Sequence, residues 1–158
     1  YERTGHLANI EIFHSNIEQW NFPPKTFDVI YSRLVLHYIE NIELTFQNIF
    51  QSLKDGGSFI FSIEHPVITS TLQTQGIRTH WIVDNYFSEG AREQLWMGAN
   101  VTKFHRSLHT YFQLLTDVGF EITSLKESVP KKENFLHAEN FERRLRIPLF
   151  LFFKCEKK

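Results

Sequence analysis

The 158-residue chain holds one cysteine and only seven glycines. A lone cysteine, Cys155, excludes an intrachain disulfide and fits a reducing, cytoplasmic compartment. The glycines stand singly or as the one pair Gly56-Gly57, so no glycine-rich loop is present to cradle a phosphate or dinucleotide. Neither HExxH nor CxxC spacing occurs, and no metal is expected despite eight histidines. No apolar run approaches the ~20 residues that span a bilayer, and no secretory signal is visible, so no membrane partner is expected. Charge of one sign is also lacking. Lys plus Arg number 17 and Asp plus Glu 18, which excludes a broad basic field for nucleic acid. The local cluster Arg143-Arg144-Leu145-Arg146 reads as a solvated face. An opening Tyr1 in place of Met is expected of a processed chain or a fragment. What is abundant is phenylalanine, 16 residues, the mark of one packed globular domain.

The richest stretch runs from Phe27 to Pro66. A short apolar run, Phe27–Tyr31, meets a polar turn and then an amphipathic segment, Asn41–Lys54. There Ile42, Phe46, Ile49, Phe50 and Leu53 fall on one helical face. Asn41 suits an N-cap and Gly56 a C-terminal stop. The apolar run Phe59–Ile63 follows. Strand, helix and strand with tight connections predict a parallel βαβ unit. Ligands of such units sit at the carboxyl ends of the strands, which here carry Ser32-Arg33, His37 and Glu64-His65.

Elsewhere the pattern predicts the end of a helix at Tyr1–Ala8 and a strand at Ile10–Phe13. A helix is predicted over Ser107–Val118, with Leu108, Tyr111, Phe112 and Leu115 on one face and Gly119 as its stop. Strands are predicted at Phe120–Lys126 and Ile147–Cys155, joined by a polar loop, Lys131–Arg146, as an antiparallel hairpin at one sheet edge. Between Val67 and Lys103 periodicity fades, yet Trp81, Tyr86, Phe87 and Trp96 are interleaved with charges. A structureless loop of that length is unlike a compact domain. The segment therefore reads as an insertion with structure of its own, a lid or substrate-binding element.

The strand FDVIYS, the turn LHYIEN, the helix end LKDGG and the strand SFIFSIEHP resemble the class I S-adenosylmethionine-dependent methyltransferases, in particular their small-molecule, type 11 branch. VDNYFSEGAREQLW, VTKFHRSLHTYFQLLTDVGF and PLFLFFKC extend the resemblance over nearly the whole chain. The resemblance implies an α/β, Rossmann-like sheet of seven strands in the order 3-2-1-4-5-7-6, with strand 7 antiparallel. On that order Ile10–Phe13 is strand 3, Phe27–Tyr31 strand 4, Phe59–Ile63 strand 5, Phe120–Lys126 strand 6 and Ile147–Cys155 strand 7. Residues 1–158 then form a partial methyltransferase domain with residues 67–103 as a lid after strand 5. Strands 1 and 2, with the family's glycine-rich loop and its acidic ribose contact, are expected upstream of Tyr1. With those strands missing, Ile10–Phe13 has no natural partner beside Phe27–Tyr31.

The resemblance also implies roles. Asn16 and Ile17 follow strand 3, where the family meets adenine; an Asx turn would look the same. Ser32, Arg33 and Leu34 leave strand 4, where backbone faces the methionine part of S-adenosylmethionine. His37 is a candidate base for an attacking hydroxyl or amine, or a structural cap. Glu64 and His65 end strand 5, where the small-molecule acceptor lies, with His65 a second candidate base and Glu64 a substrate contact. Neighbours on a strand face opposite ways, so Pro66 must turn the chain for both to line one pocket. Tyr86, Trp96 and His105 are candidate substrate contacts, and Arg106 is a candidate for gripping an acidic acceptor. The expected activity is methyl transfer to a small molecule in the complete protein; the alternative is a non-catalytic, truncated module without a working cofactor site. A nicotinamide oxidoreductase fits less well, because the late hairpin and the EHP strand end suit methyltransferases and no dinucleotide loop is present.

Overall fold

The computed structural model describes residues 9–71, 80–96 and 98–158; the helix end expected at Tyr1–Ala8 lies outside them. The predicted βαβ unit is present. It comprises β1 (Phe27–Arg33), α1 (Ile42–Ser52) and β2 (Leu53–Glu64), with β1 and β2 parallel. The Asn41 side chain accepts from Leu44 N at 3.1 Å and starts α1. Ile42, Phe46 and Ile49 are buried along its inner face.

Gly56 does not stop this helix. The helix ends at Ser52, and Leu53 is already extended backbone at the head of β2. The β1–β2 register shifts between Phe27 and Val29, so residues 54–57 bulge from the ladder, with Gly56 at φ +79°. Gly57 is required by contact, since a Cβ there would lie 2.8 Å from the Lys54 carbonyl. The two glycines serve a bulge rather than a cap.

After β2 come α2 (Pro66–Thr69), β3 (Gly90–Trp96), β4 (Ala99–His105) and α3 (Leu108–Val118). The β3–β4 pair is an antiparallel hairpin and supplies the structure expected within residues 67–103. Ser107 accepts from Thr110 N to begin α3, and left-handed Gly119 ends it. Tyr111 and Leu115 are buried, but Phe112 is half exposed; Leu114 and Val118 pack on the core instead.

The chain closes with β5 (Phe120–Glu127), α4 (Ala138–Leu145) and β6 (Phe150–Lys157). Two expectations change here. The polar loop holds a short helix, α4, that buries no residue. The last strand begins at Phe150 rather than Ile147, because Pro148 has no N–H to give the ladder. The main sheet runs β1-β2-β6-β5, with β6 antiparallel to both neighbours. This is the neighbour order 4-5-7-6 that the resemblance implied.

α1 and α3 pack together on one face of this sheet. Between them and the strands sits a phenylalanine stack, with Phe59–Phe61 centroids at 4.7 Å and Phe61–Phe153 at 4.9 Å. The opposite face leaves Val29 57%, Tyr31 63% and Phe152 40% exposed. Ile10–Phe13 is not a strand. It has no ladder partner, and Ile10, Ile12 and Phe13 are exposed; four residues without a neighbouring strand have no backbone bonds to hold them extended.

Candidate functional site

The carboxyl ends of β1 and β2 carry the densest polar chemistry. β1 leaves the sheet through Ser32, Arg33 and Leu34. Leu34 N donates to Ser62 O at 2.9 Å, and this bond holds Leu34 at φ +55°. A branched residue in left-handed conformation is costly and clusters at functional sites. Beside it, Ser32 Oγ is buried and finds no hydrogen-bond partner among the described residues. Arg33 is exposed.

A single 3₁₀ turn, Leu36–Tyr38, follows and puts His37 and Tyr38 against the end of β2. His37 is buried, and its Nδ1 accepts from Glu64 N at 3.4 Å. That bond leaves its proton on Nε2. Burial, reinforced by the Lys103 charge, holds its pKa down at about 3, so the imidazole is neutral. Tyr38 lies beside it at 4.3 Å between centroids; burial and then the Glu64 charge push its phenol up.

Lys103 was not singled out by the sequence reading. From β4 its Nζ donates to Glu64 Oε1 at 2.7 Å and Oε2 at 2.9 Å, and it stands 5.8 Å from the Tyr38 ring centre. The Lys103 side chain is 4% exposed and that of Glu64 20%. A signal existed: Lys103 stands two residues before His105, so a strand through this segment shows both on one face. The structure thus brings Ser32, Leu34, His37, Glu64, Tyr38 and Lys103 together.

The other expected site residues act as fasteners in this structure. His65 caps α2 by accepting from Val67 N, and its Nε2 donates to Glu127 at 3.0 Å. Burial lowers its pKa although Glu127 pulls the other way. His105 accepts from the Thr69 hydroxyl and donates from Nε2 to Tyr86 O, both at 2.8 Å. Burial likewise lowers its pKa. The Tyr86 hydroxyl accepts from Leu108 N. Arg106 Nη2 donates to Ile39 O and Glu40 O, which closes the turn after His37. The guanidinium borders an open depression of about 600 Å³ rimmed by Glu18, Glu40 and Glu43.

Asn16 forms the Asx turn that was the alternative to an adenine contact, its Oδ1 accepting from Glu18 N at 2.9 Å. Ile17 packs on the core. Trp96 ends β3 opposite Ala99. His105 and His109 stand four apart, but one ends a strand and the other lies in α3. No cluster of metal-ligating side chains occurs among the described residues, and no described helix is long and apolar enough to cross a membrane.

The chain is similar to known proteins in sequence and fold. Residues 1–61 match the model of a family described as "Methyltransferase domain". An S-adenosylmethionine-dependent methyltransferase from Mesorhizobium loti is 30% identical over 90% of this chain and 68% of its own, with a TM-score of 0.82. A Listeria monocytogenes protein assigned to the same enzymes is 36% identical over 91% of this chain and 67% of its own, also at 0.82. An uncharacterized Haemophilus influenzae protein is 30% identical over 95% of the chain. The chain spans 62% of that relative's length.

Proposed function

The chain belongs to the S-adenosylmethionine-dependent methyltransferases, and from that premise we propose that the complete protein methylates a small-molecule acceptor at the carboxyl ends of β1 and β2. The observation that carries this reading is the Ser32–Leu34 turn. Leu34 is left-handed there, and the buried Ser32 hydroxyl has no partner among the described residues. They fit a ligand with polar groups. Bound there, S-adenosylmethionine supplies a sulfonium methyl group open to nucleophilic attack.

This chain's residues then divide the work. Ser32, Arg33 and Leu34 hold the methionine portion. Asn16 retains a lone pair and its amide donors for the adenine edge, and Ile17 offers its apolar surface. Neutral His37 donates from Nε2 and orients the acceptor; so little proton affinity is left that in-line positioning, rather than base strength, accounts for its role. His65 holds the strand end in place through α2 and Glu127. The β3–β4 hairpin, joined to Glu64 through Lys103, covers the acceptor as a lid and carries Trp96.

Residues 1–158 carry no glycine-rich loop to hold the rest of the cofactor. β1 stands at an edge of its sheet and the face bearing Val29, Tyr31 and Phe152 is uncovered, which fits a larger cofactor-binding sheet in the complete protein and fits equally the alternative that these residues alone form a non-catalytic module. Calorimetric titration with S-adenosylhomocysteine separates the two. Each charge-assisted hydrogen bond lost costs ~1.5–3 kcal/mol, and ~1.4 kcal/mol is tenfold. The 158-residue chain should therefore bind in the millimolar range, and a version extended upstream should bind at micromolar levels and weaken on Ser32→Ala. Micromolar binding by the short chain refutes this division of affinity. Failure of the extended protein to bind refutes the cofactor reading.

A further inference from the structure

The Glu64–Lys103 pair has an asymmetry that bears on what the acceptor is. Lys103 is almost wholly buried, whereas Glu64 keeps a fifth of its side chain accessible. The accessible part of the pair is thus a carboxylate, and its cation lies behind it. A carboxylate has about four lone-pair positions, and Lys103 occupies two. The ammonium group, having given two donors to Glu64, stands over the Tyr38 ring. Arg106 donates from Nη2 to two carbonyl oxygens, while its buried Nη1 has no partner among the described residues. The neutral His37 adds no positive charge. The accessible charged group at the end of β2 is therefore a hydrogen-bond acceptor.

Resting on the reading that the acceptor lies at this strand end, we propose that Lys103 is a positioning residue. It fixes the Glu64 carboxylate so that the pocket takes acceptors bearing an N–H or O–H nucleophile and rejects carboxylates. Discrimination comes from both sides. A hydroxyl or amine finds an oriented lone pair on Glu64, while a carboxylate placed against Glu64 meets like charge. Lys103 also ties the hairpin strand β4 to the end of β2, so the same bond that orients Glu64 sets the height of the hairpin above it.

The test uses three isosteric probes, benzylamine, benzyl alcohol and benzoate, titrated to 10 mM into the ¹⁵N-labelled 158-residue chain and followed by its amide spectrum. The amine and the alcohol should shift the Tyr38, Glu64 and Lys103 amides, with benzoate at least tenfold weaker. Lys103→Met, which leaves the Glu64 charge unpaired, should still exclude benzoate but loosen the carboxylate and weaken alcohol binding at least threefold. Lys103→Arg should keep the preference, and Glu64→Gln, which preserves shape without charge, should bring benzoate within about threefold of the alcohol. Equal binding of benzoate, an undiminished preference in Glu64→Gln, unchanged alcohol binding in Lys103→Met, or no shift at these residues with any probe overturns the proposal. A parallel titration with S-adenosylhomocysteine reads the Ser32–Leu34 amides. Silence there, with the probe preference intact, would count against the cofactor reading and leave the acceptor proposal standing.

Discussion

Replacing Phe46 with alanine tests the packing on which the site stands. The side chain is fully buried and meets Phe61 at 5.8 Å and Phe59 at 6.1 Å between ring centres. It links α1 to β2, the strand that ends in Glu64. Truncating a buried phenylalanine removes its transfer free energy and leaves a cavity, at a cost of ~3–5 kcal/mol. The neighbouring rings cannot close that cavity readily, because Phe61 is already stacked on Phe153 with an interplanar angle of 11°. Domains are stable by only ~5–15 kcal/mol, so the loss is a large share of the whole. With a urea m-value of about 2 kcal/mol/M, the midpoint should fall by roughly 1.5–2.5 M. Phe87→Ala is the control: that ring is 86% exposed, and its removal should cost under ~0.5 kcal/mol. Urea unfolding followed by tryptophan fluorescence measures both. If Phe46→Ala shifts the midpoint no more than Phe87→Ala, the core has been misread.

Two further expectations follow from buried titratable groups. His37 at about 3, with His65 and His105 also lowered, stays neutral in the fold while the unfolded chain takes up protons near pH 6.5. Stability should thus be lost as pH falls below about 6.5, at up to ~1.4 kcal/mol per pH unit for His37, and continue falling toward pH 3; urea midpoints between pH 7.5 and 5 should show a flatter slope in His37→Asn. The Cys155 thiol, buried and pushed up to about 12, should resist Ellman's reagent in the folded protein and react at the rate of unfolding. Rapid labelling in native buffer would contradict its placement in the core.

The βαβ unit and α3 were legible because each shows its period, its cap and its stop within a dozen residues, as Asn41, Ser107 and Gly119 illustrate. Gly56 misled because a left-handed glycine looks alike in a helix stop and in a strand bulge. Only the β1–β2 register distinguishes them, and register is a non-local property. Ile10–Phe13 has the alternation of a strand, yet alternation does not supply a neighbour. At the candidate site, the placement of Ser32, His37 and Glu64 at or just past strand ends was legible in the sequence. Lys103 could not be paired with Glu64 in advance, because that contact depends on how the hairpin folds back. The roles of Arg106 and Tyr86 as backbone fasteners were hidden for the same reason: their partners are carbonyl and amide groups, which leave no mark on sequence.

The start of α3 is not capped from within the helix alone. Glu89, one residue before β3, accepts from Ser107 N at 2.8 Å and from the Thr110 hydroxyl at 2.6 Å, and the Tyr86 hydroxyl accepts from Leu108 N at 3.0 Å. The segment Tyr86–Glu89 therefore supplies partners that the first turn of a core helix otherwise lacks. A segment of this kind is not an exchangeable cassette. Replacing the segment between β2 and α3 with another protein's would strip those bonds from α3, so a workable chimera must bring Tyr86, Glu89 and the helix start across as one block.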